Sequence, residues 1–263
     1  MPVTTAISIR GLSKTYRTRG RTVHALRDLT LDVAQGELFS LLGVNGAGKT
    51  TAIKLLSCLT PPTAGDATLM GHSLREDPAG VRRIINTSPQ TTAVAPNLSV
   101  RENLTLTAGL WGLPRGAVRP AVEEVMQTLH LDEVSHARAN TLSGGWQRRL
   151  SIGMALVTRP QILFLDEPTL GLDVLARREL WEAVRALRGQ VTVVLTTHYL
   201  EEAEALSDRV GILADGTLRA LGTPRELCAL ADTSSFEDAF VNLATRPVAQ
   251  TRKPSEKEEE SHD

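Results

Sequence analysis

The 263-residue sequence has no excess of charge of either sign. Its 29 lysines and arginines oppose 30 aspartates and glutamates, which leaves a formal net charge of -1. Bulk electrostatics therefore give no support for a nucleic-acid-binding function, and no nucleic-acid partner is expected. The sequence has two cysteines, Cys58 and Cys228, and their wide separation matches neither a CxxC pair nor the spacing of metal ligands. We expect both to be reduced thiols.

Long apolar runs are also missing. No stretch approaches the roughly 18 apolar residues that a bilayer-spanning helix needs. Residues Met1 to Arg10 lack the apolar run of a secretory signal. The longest apolar runs, Ile162–Leu165 and Val193–Leu195, have the length of buried strands. No repeat of the solenoid or propeller kind is present. If this chain serves a membrane, we expect it to do so through a partner protein.

Apolar strand-like segments alternate with helical ones along most of the chain. Alternating apolar positions (Ile7, Ile9, Leu29, Leu31, Val33) and short apolar runs (Leu38–Leu42, Ile162–Leu165, Val191–Thr196) predict the strands. A helix is predicted from about Lys49 to Leu59, before Pro61 and Pro62. This alternation predicts an α/β fold with a largely parallel, buried sheet.

The middle of the chain, roughly residues 88–156, is helical and polar in pattern, and we interpret it as a helical lobe inserted into the sheet domain. The sheet core then covers about residues 1–87 and 157–222. A short helical extension is expected over 223–246, with helices near Pro224–Leu230 and Phe236–Leu243. The last residues, 247–263, mix lysine with a run of glutamates and offer little to bury, so we expect a disordered charged tail.

A phosphate-binding loop is the strongest single motif. The residues Gly43-Val44-Asn45-Gly46-Ala47-Gly48-Lys49-Thr50 fit the pattern G-x-x-x-x-G-K-[ST], directly after a strand and directly before a helix. Glycines let the backbone wrap a phosphate, and the amides at the helix start supply hydrogen-bond donors. Lys49 is expected to reach the β- and γ-phosphates of a nucleotide and Thr50 to ligate Mg²⁺.

Two carboxylates supply the second half of this site. The buried strand Ile162–Leu165 leads directly into Asp166 and Glu167, at the strand end where α/β sheets place their ligands. We expect Asp166 to hold Mg²⁺ and Glu167 to polarise a water molecule against the γ-phosphate.

A further motif indicates which class of phosphate-loop protein this is. It lies shortly before the acidic strand and has the sequence Leu142-Ser143-Gly144-Gly145-Trp146-Gln147-Arg148-Arg149-Leu150. A serine and two glycines opening a helix form a second anion-binding geometry in one chain. This segment resembles the signature motif of ATP-binding cassette (ABC) ATPases, and the order of phosphate loop, signature, acidic strand and late histidine also matches. The resemblance covers about residues 7–222. It implies a P-loop NTPase (RecA-like) core sheet with an inserted α-helical subdomain.

The same resemblance assigns roles to further residues. Gln90 corresponds to the hinge glutamine that contacts Mg²⁺, and His198 to the switch histidine that contacts the γ-phosphate. Asp173 lies in a Gly-Leu-Asp sequence similar to the loop that crosses between two subunits. Tyr16 corresponds to the aromatic residue that stacks on adenine. The nucleotide-binding set implied in this way is Tyr16, Gly43, Asn45, Gly46, Ala47, Gly48, Lys49, Thr50, Thr51, Ser143, Gly144, Gly145 and Asp173.

Two positions depart from the family pattern. Val44 stands where proline is common, which removes no phosphate donor. Trp146 replaces the usual glutamine of the signature. It is either a packing residue or a contact at the face between subunits.

The resemblance implies that ATP, with Mg²⁺, lies between two such domains arranged head to tail. One domain supplies the catalytic set Lys49, Gln90, Glu167 and His198, with Thr50, Gln90 and Asp166 at the metal. The other supplies Ser143 and Gly145. The implied partners are a second ABC subunit, identical or different, and a separately encoded membrane permease. The chain would then be cytoplasmic and peripheral on the inner face of the membrane.

Three functions remain open at this stage. The stretch from Thr197 to Glu204 and the late Phe236–Phe240 segment resemble the drug-resistance and nodulation-type export branch, and the extra β-domain of many sugar importers is missing. We therefore favour an exporter ATPase. The alternatives are an importer ATPase and a non-transport ABC ATPase of the translation, repair or iron–sulfur assembly kind. The helical lobe, especially 91–110, is either a structural insert or the groove for a permease helix.

Overall fold

The computed structural model describes residues 4–18 and 20–246. The strands are β1 (Thr5–Thr18), β2 (Arg21–Ala34), β3 (Leu38–Leu42), β4 (Ala64–Leu69), β5 (His72–Ser73), β6 (Ile85–Ser88), β7 (Ile162–Asp166), β8 (Thr192–Thr197), β9 (Arg209–Ala214) and β10 (Thr217–Gly222). The helices are α1 (Lys49–Leu56), α2 (Pro78–Ile84), α3 (Val100–Leu110), α4 (Arg115–Thr128), α5 (Gly144–Leu156), α6 (Val174–Arg185), α7 (Leu200–Leu206), α8 (Pro224–Leu230) and α9 (Phe236–Thr245). The expected charged tail, 247–263, lies outside the described residues.

The strands form two sheets. The first is antiparallel, with the order β2-β1-β4-β5, and the second has the order β10-β9-β3-β8-β7-β6. In the second sheet β3, β6, β7, β8 and β9 pair in parallel, and β10 closes one edge as an antiparallel hairpin with β9. The predicted parallel sheet is therefore confirmed. Its carboxyl ends meet at one edge, which is where α/β sheets bind ligands.

The parallel sheet is buried on both faces. Along β7, Phe164 packs into the cluster shared with the antiparallel sheet and α1, while Leu163 and Leu165 point into the cluster on the opposite face. All five residues of β7 are buried. Burial on both faces explains why this strand is a continuous apolar run in the sequence, without alternation.

The helical lobe consists chiefly of α3, α4 and α5, as the polar middle of the sequence indicated. A capping box at Ser99 and Glu102 begins α3. Leu104, Val125 and Leu150 belong to the same buried cluster as the sheet residues Leu163 and Leu195. Helix α5 thus joins the lobe to the sheet, and its first residue follows Ser143.

The sequence-based boundaries differ from the structure in two places. Helix α1 ends at Leu56 and not near Leu59, because the chain turns at Cys58, whose φ of 57° lies in the left-handed region. The strands β4, β5, β6, β9 and β10 were not predicted. The two C-terminal helices occur where expected, with α9 reaching Thr245, and they pack against β9 and β10. In the described residues no helix is both long and apolar enough to span a bilayer.

Candidate functional site

A cavity of about 610 Å³ opens over the phosphate loop at the carboxyl edge of the parallel sheet. Its lining brings together most of the predicted site residues. These are Asn45, Gly46, Ala47, Gly48, Lys49, Thr50, Thr51, Gln90, Glu167 and His198. They come from four separate segments of the chain, so folding brings residues that are distant in the sequence together at one cavity.

The glycines of the loop are required by its geometry. Gly48 has φ 108°, and a Cβ there would lie 2.4 Å from the carbonyl oxygen of Ala25. A Cβ on Gly43 would lie 2.3 Å from the carbonyl oxygen of Leu213. Neither approach allows a side chain. The loop is therefore pressed against β2 and β9. Lys49 and Thr50 line the cavity at the start of α1, and the first-turn amides of a helix have no acceptor within the helix.

Lys49 is almost fully buried, with 5% of its surface exposed. Its ammonium donates to the carbonyl oxygens of Gly43 at 2.7 Å and Val44 at 3.2 Å, and it lies 3.1 Å from Oε1 of Glu167. A buried cation needs such partners, because desolvation without them is costly. The ammonium is thus held at the floor of the cavity, where it would meet the phosphates of a nucleotide.

Asp166 lies beside the hydroxyl of Thr50. Thr50 Oγ1 donates to Asp166 Oδ1 at 3.3 Å, and the hydroxyl of Thr196 on β8 donates to the same oxygen. The exposed side chain of Gln90 borders the same cavity. A carboxylate, a hydroxyl and an amide oxygen are the hard donors that Mg²⁺ prefers together with substrate phosphates. These residues therefore fit the predicted metal.

Glu167 is buried, with 7% of its surface exposed, and has φ 47°. A positive φ at a non-glycine residue is uncommon and is often found at functional sites. The turn places the carboxylate against two partners, Lys49 through Oε1 and His198 Nδ1 through Oε2 at 2.6 Å. Glu167 and His198, 31 positions apart in the sequence, are thus in direct contact.

The signature residues lie away from this cavity. Ser143 and Gly144 are exposed at the start of α5, and the hydroxyl of Ser143 makes no capping bond to the helix. Gly145 is buried, and a Cβ there would lie 3.0 Å from Cβ of Ala176, so a side chain would fit only if Ala176 shifted. Asp173 caps α6 by accepting hydrogen bonds from the amides of Leu175 and Ala176.

The structure shows the surroundings of Val44 and Trp146, the two residues that depart from the family pattern. The Val44 side chain is exposed, and its carbonyl still accepts from Lys49. Trp146 is half-buried against the apolar cluster that contains Leu104 and Leu150. The guanidinium of Arg149 lies 4.4 Å from the centre of the Trp146 ring. Arg149 is in turn paired with Glu179 of α6. These contacts support the packing interpretation of Trp146.

Tyr16 does not line the cavity. It is partly exposed on β1, opposite Val23 of β2, with the ammonium of Lys14 at 5.2 Å from the centre of its ring. Val23 does line the cavity, so Tyr16 lies beside its rim. The role of Tyr16 as the adenine platform stays a prediction.

Several cavity residues were missed by sequence reasoning: Val23, His24, Ala25, Arg27, Leu170, Asp215 and Gly216. Asp215 and Gly216 form the turn between β9 and β10, both with positive φ. An Asp-Gly pair between apolar strands is a recognised hairpin signal, so this turn was predictable although its place in the cavity was not. The β2 residues that line the cavity belong to no sequence motif that would predict ligand binding.

Comparisons with known proteins agree with this geometry. Residues 26–170 match the family model for ABC transporters. The chain is 44% identical over 223 residues to the doxorubicin resistance ATP-binding protein DrrA of Mycobacterium tuberculosis, covering 84% of this chain and 67% of that protein. It is 41% identical over 230 residues to the ABC transporter A family member 2 of Arabidopsis thaliana, covering 83% of this chain but only 23% of that longer protein.

Among solved structures, the chain superposes with a TM-score of 0.73 and 26% identity on the dimeric ATP-binding cassette MJ0796 in a post-hydrolysis state bound to ADP and Pi, covering 82% of this chain and 98% of that one. The predicted family and the predicted α/β P-loop fold class are confirmed. The chain belongs to the ABC transporter family of ATPases.

Proposed function

We propose that this chain binds and hydrolyses ATP as the motor subunit of a membrane exporter. The observation that carries the proposal is the cavity over the phosphate loop, in which Lys49, Glu167 and His198 meet at hydrogen-bond distance. A buried ammonium, a carboxylate and an imidazole at one sheet edge supply charge stabilisation and a proton acceptor, which is what phosphoryl transfer to water requires.

In this proposal the nucleotide phosphates lie along the amides of the loop, and the ammonium of Lys49 shifts from Glu167 towards the β- and γ-phosphates. Released from Lys49, the carboxylate of Glu167 orients the attacking water, with His198 holding the carboxylate in place. Mg²⁺, when bound at Thr50, Gln90 and Asp166, would neutralise charge on the β- and γ-phosphate oxygens.

A second subunit completes the site. Ser143 and Gly144 are exposed, and neither lines the described cavity over the phosphate loop. Close to Asp173, the apolar side chains of Leu170, Val174 and Leu175 are 42%, 63% and 72% exposed. A cluster of exposed apolar side chains marks an interaction face. The dimeric state of the similar cassette MJ0796 supports a head-to-tail dimer in which the signature of one subunit covers the nucleotide of the other.

The export direction rests on similarity. The relative DrrA is named for doxorubicin resistance, and the chain covers two thirds of its length. We infer a separately encoded permease as the membrane partner, which would hold this chain on the inner face of the membrane.

The experiment is a pull-down of the tagged full chain from detergent-solubilised membranes of its source cells with Mg-ATP present, followed by mass spectrometry and an ATPase assay of the eluate. Stoichiometric recovery of a membrane protein with several spans, together with ATP hydrolysis, supports the proposal. Recovery with non-membrane partners alone would overturn the transport function, whereas absence of ATP hydrolysis would overturn the motor function.

A further inference from the structure

Arg148, on α5, is a buried arginine that the proposed mechanism does not use. Only 4% of its surface is exposed. Its guanidinium donates from Nε to the carbonyl of Pro168 at 2.8 Å, from Nη2 to that of Asp166 at 2.8 Å, and from Nη1 to those of Pro89 and Gln90. All of these acceptors are neutral backbone oxygens.

A buried guanidinium without a carboxylate partner is expensive to maintain. Desolvation by burial lowers the pKa of Arg148 to about 10, against the opposing influence of Asp166 and Glu202, so the side chain is still charged at neutral pH. Its charge is spread over carbonyl dipoles, and these must therefore stay in place for the cation to remain buried.

The carbonyls that Arg148 holds belong to two loops of the candidate site. Asp166 and Pro168 flank Glu167, and Pro89 and Gln90 belong to the loop after β6. The pairing of β6 with β7 ends at Ser88 and Leu165, so strand hydrogen bonds do not fix the two loops to each other beyond that point. The guanidinium of Arg148 bridges this gap.

The same side chain belongs to the signature helix. Arg148 lies on the first turns of α5, which begins directly after Ser143. The hydroxyls of Ser151 on α5 and Ser88 on β6 also lie within hydrogen-bond distance, 3.0 Å apart. Helix α5 is thus tied to the end of β6 and to the loops beyond it.

We propose that Arg148 is a positioning residue that sets the distance between Gln90 and the Asp166–Glu167 pair and couples both to the signature helix. The inference rests on the proposed function, since ATP with Mg²⁺ is the ligand that these side chains would hold. Arg148 itself does not touch the ligand. Its planar fork donates in several fixed directions to acceptors on both sides, which the single nitrogen of a lysine does not reproduce.

The test compares full-length Arg148→Lys and Arg148→Gln with the wild-type chain and with Arg185→Gln. Arg185 is a suitable control because its guanidinium also donates to a backbone carbonyl, that of Ala205, outside the site. Four quantities are measured: ATP affinity in EDTA, ATP affinity as a function of Mg²⁺ concentration, kcat, and KM for ATP. Thermal unfolding shows whether each variant is folded.

We expect both Arg148 variants to bind ATP in EDTA as the wild type does and to need about ten- to a hundredfold more Mg²⁺ for tight binding, as when supports behind metal ligands are lost. The kcat value should fall by about tenfold or more with little change in KM, and Arg148→Lys should restore little of it. Arg185→Gln should leave all four quantities unchanged.

A folded Arg148→Lys variant with the wild-type Mg²⁺ dependence would overturn the inference, and so would equal losses of ATP affinity with and without Mg²⁺. Those results would leave the proposed function intact, because Mg²⁺-dependent ATP binding and hydrolysis are measured independently on the wild-type chain. A wild-type chain without Mg²⁺-dependent ATP binding would overturn the proposed function and, with it, the inference.

Discussion

The carboxylate of Glu167 accepts a hydrogen bond from Nδ1 of His198 at 2.6 Å, and its other oxygen lies 3.1 Å from the ammonium of Lys49. One carboxylate is therefore shared by the two side chains that would contact the γ-phosphate. An incoming phosphate offers Lys49 a stronger anionic partner, and this exchange would free one oxygen of Glu167 for a water molecule. The proposed mechanism would thereby link nucleotide binding to assembly of the hydrolytic group through Glu167.

Replacing Glu167 with glutamine should separate binding from hydrolysis. The amide keeps a hydrogen-bonding group beside His198 but does not accept a proton, so we expect hydrolysis to slow by about 10²–10⁴-fold while ATP still binds. A closed dimer should accumulate with ATP and be visible by size-exclusion chromatography with light scattering. The exposed Glu133→Gln serves as the control. Turnover of Glu167→Gln at the wild-type rate would remove Glu167 from the role of base.

Lys49→Ala should weaken ATP binding, because it removes the buried ammonium at the floor of the cavity. A lost hydrogen bond to a charged group costs about 1.5–3 kcal/mol, which corresponds to about a ten- to hundredfold higher Kd. The matched control is Lys54→Ala, an exposed lysine on the same helix. Isothermal titration calorimetry measures both. Equal affinities for the two variants would contradict the phosphate-loop assignment.

Gly48→Ala should damage the loop through its backbone. The new Cβ would lie 2.4 Å from the Ala25 carbonyl oxygen, at φ 108°, so we expect a loss of about 1–3 kcal/mol in the free energy of unfolding and loss of ATP binding. Gly116→Ala in α4 is the control, because a Cβ there meets nothing within 4 Å. In a helix this exchange should raise stability by up to about 1 kcal/mol. Urea unfolding compares the two, and equal effects would argue against strain at Gly48.

Glu202 should make stability depend on pH. The side chain is fully buried, and the Trp181 indole donates to its Oε1 at 3.2 Å. Burial raises the pKa of Glu202 despite hydrogen bonds from Thr197, Thr169 and Trp181, which lower it, and the Glu167 carboxylate adds to the rise. The folded chain therefore retains a proton that the unfolded chain releases, so the stability contributed by Glu202 falls as pH rises from the unfolded towards the folded pKa.

Glu202→Gln removes this titration and keeps the acceptor for Trp181. We expect the variant to gain stability relative to the wild type as pH is raised, with the smallest difference at the acidic end. Thermal or urea unfolding of the nucleotide-free chain between pH 5 and 8 measures the difference. The exposed neighbour Glu201→Gln should show no such trend. A constant difference between Glu202→Gln and the wild type would contradict the raised pKa.

Local motifs were sufficient to predict much of the fold and of the site. The conformation of the loop from Gly43 to Thr50 depends on its own glycines. Strand β7 is an apolar run that ends at Asp166 and is followed by Glu167. Such features depend on residues that are adjacent in the chain, so they can be predicted from the sequence without a structure. The helical lobe was also predictable, because its polar, helix-period pattern contrasts with the apolar strands on either side.

Contacts between distant segments were decided by the tertiary structure alone. Packing against other segments determines the exact end of α1, the strands β4, β5, β6, β9 and β10, and the place of the β2 residues that line the cavity. Nothing in the sequence marks Arg148 as buried, yet the carbonyls of two separate loops surround its guanidinium in the structure. Sequence spacing determines which groups are available, whereas the low dielectric and the geometry of the packed interior decide which of them meet.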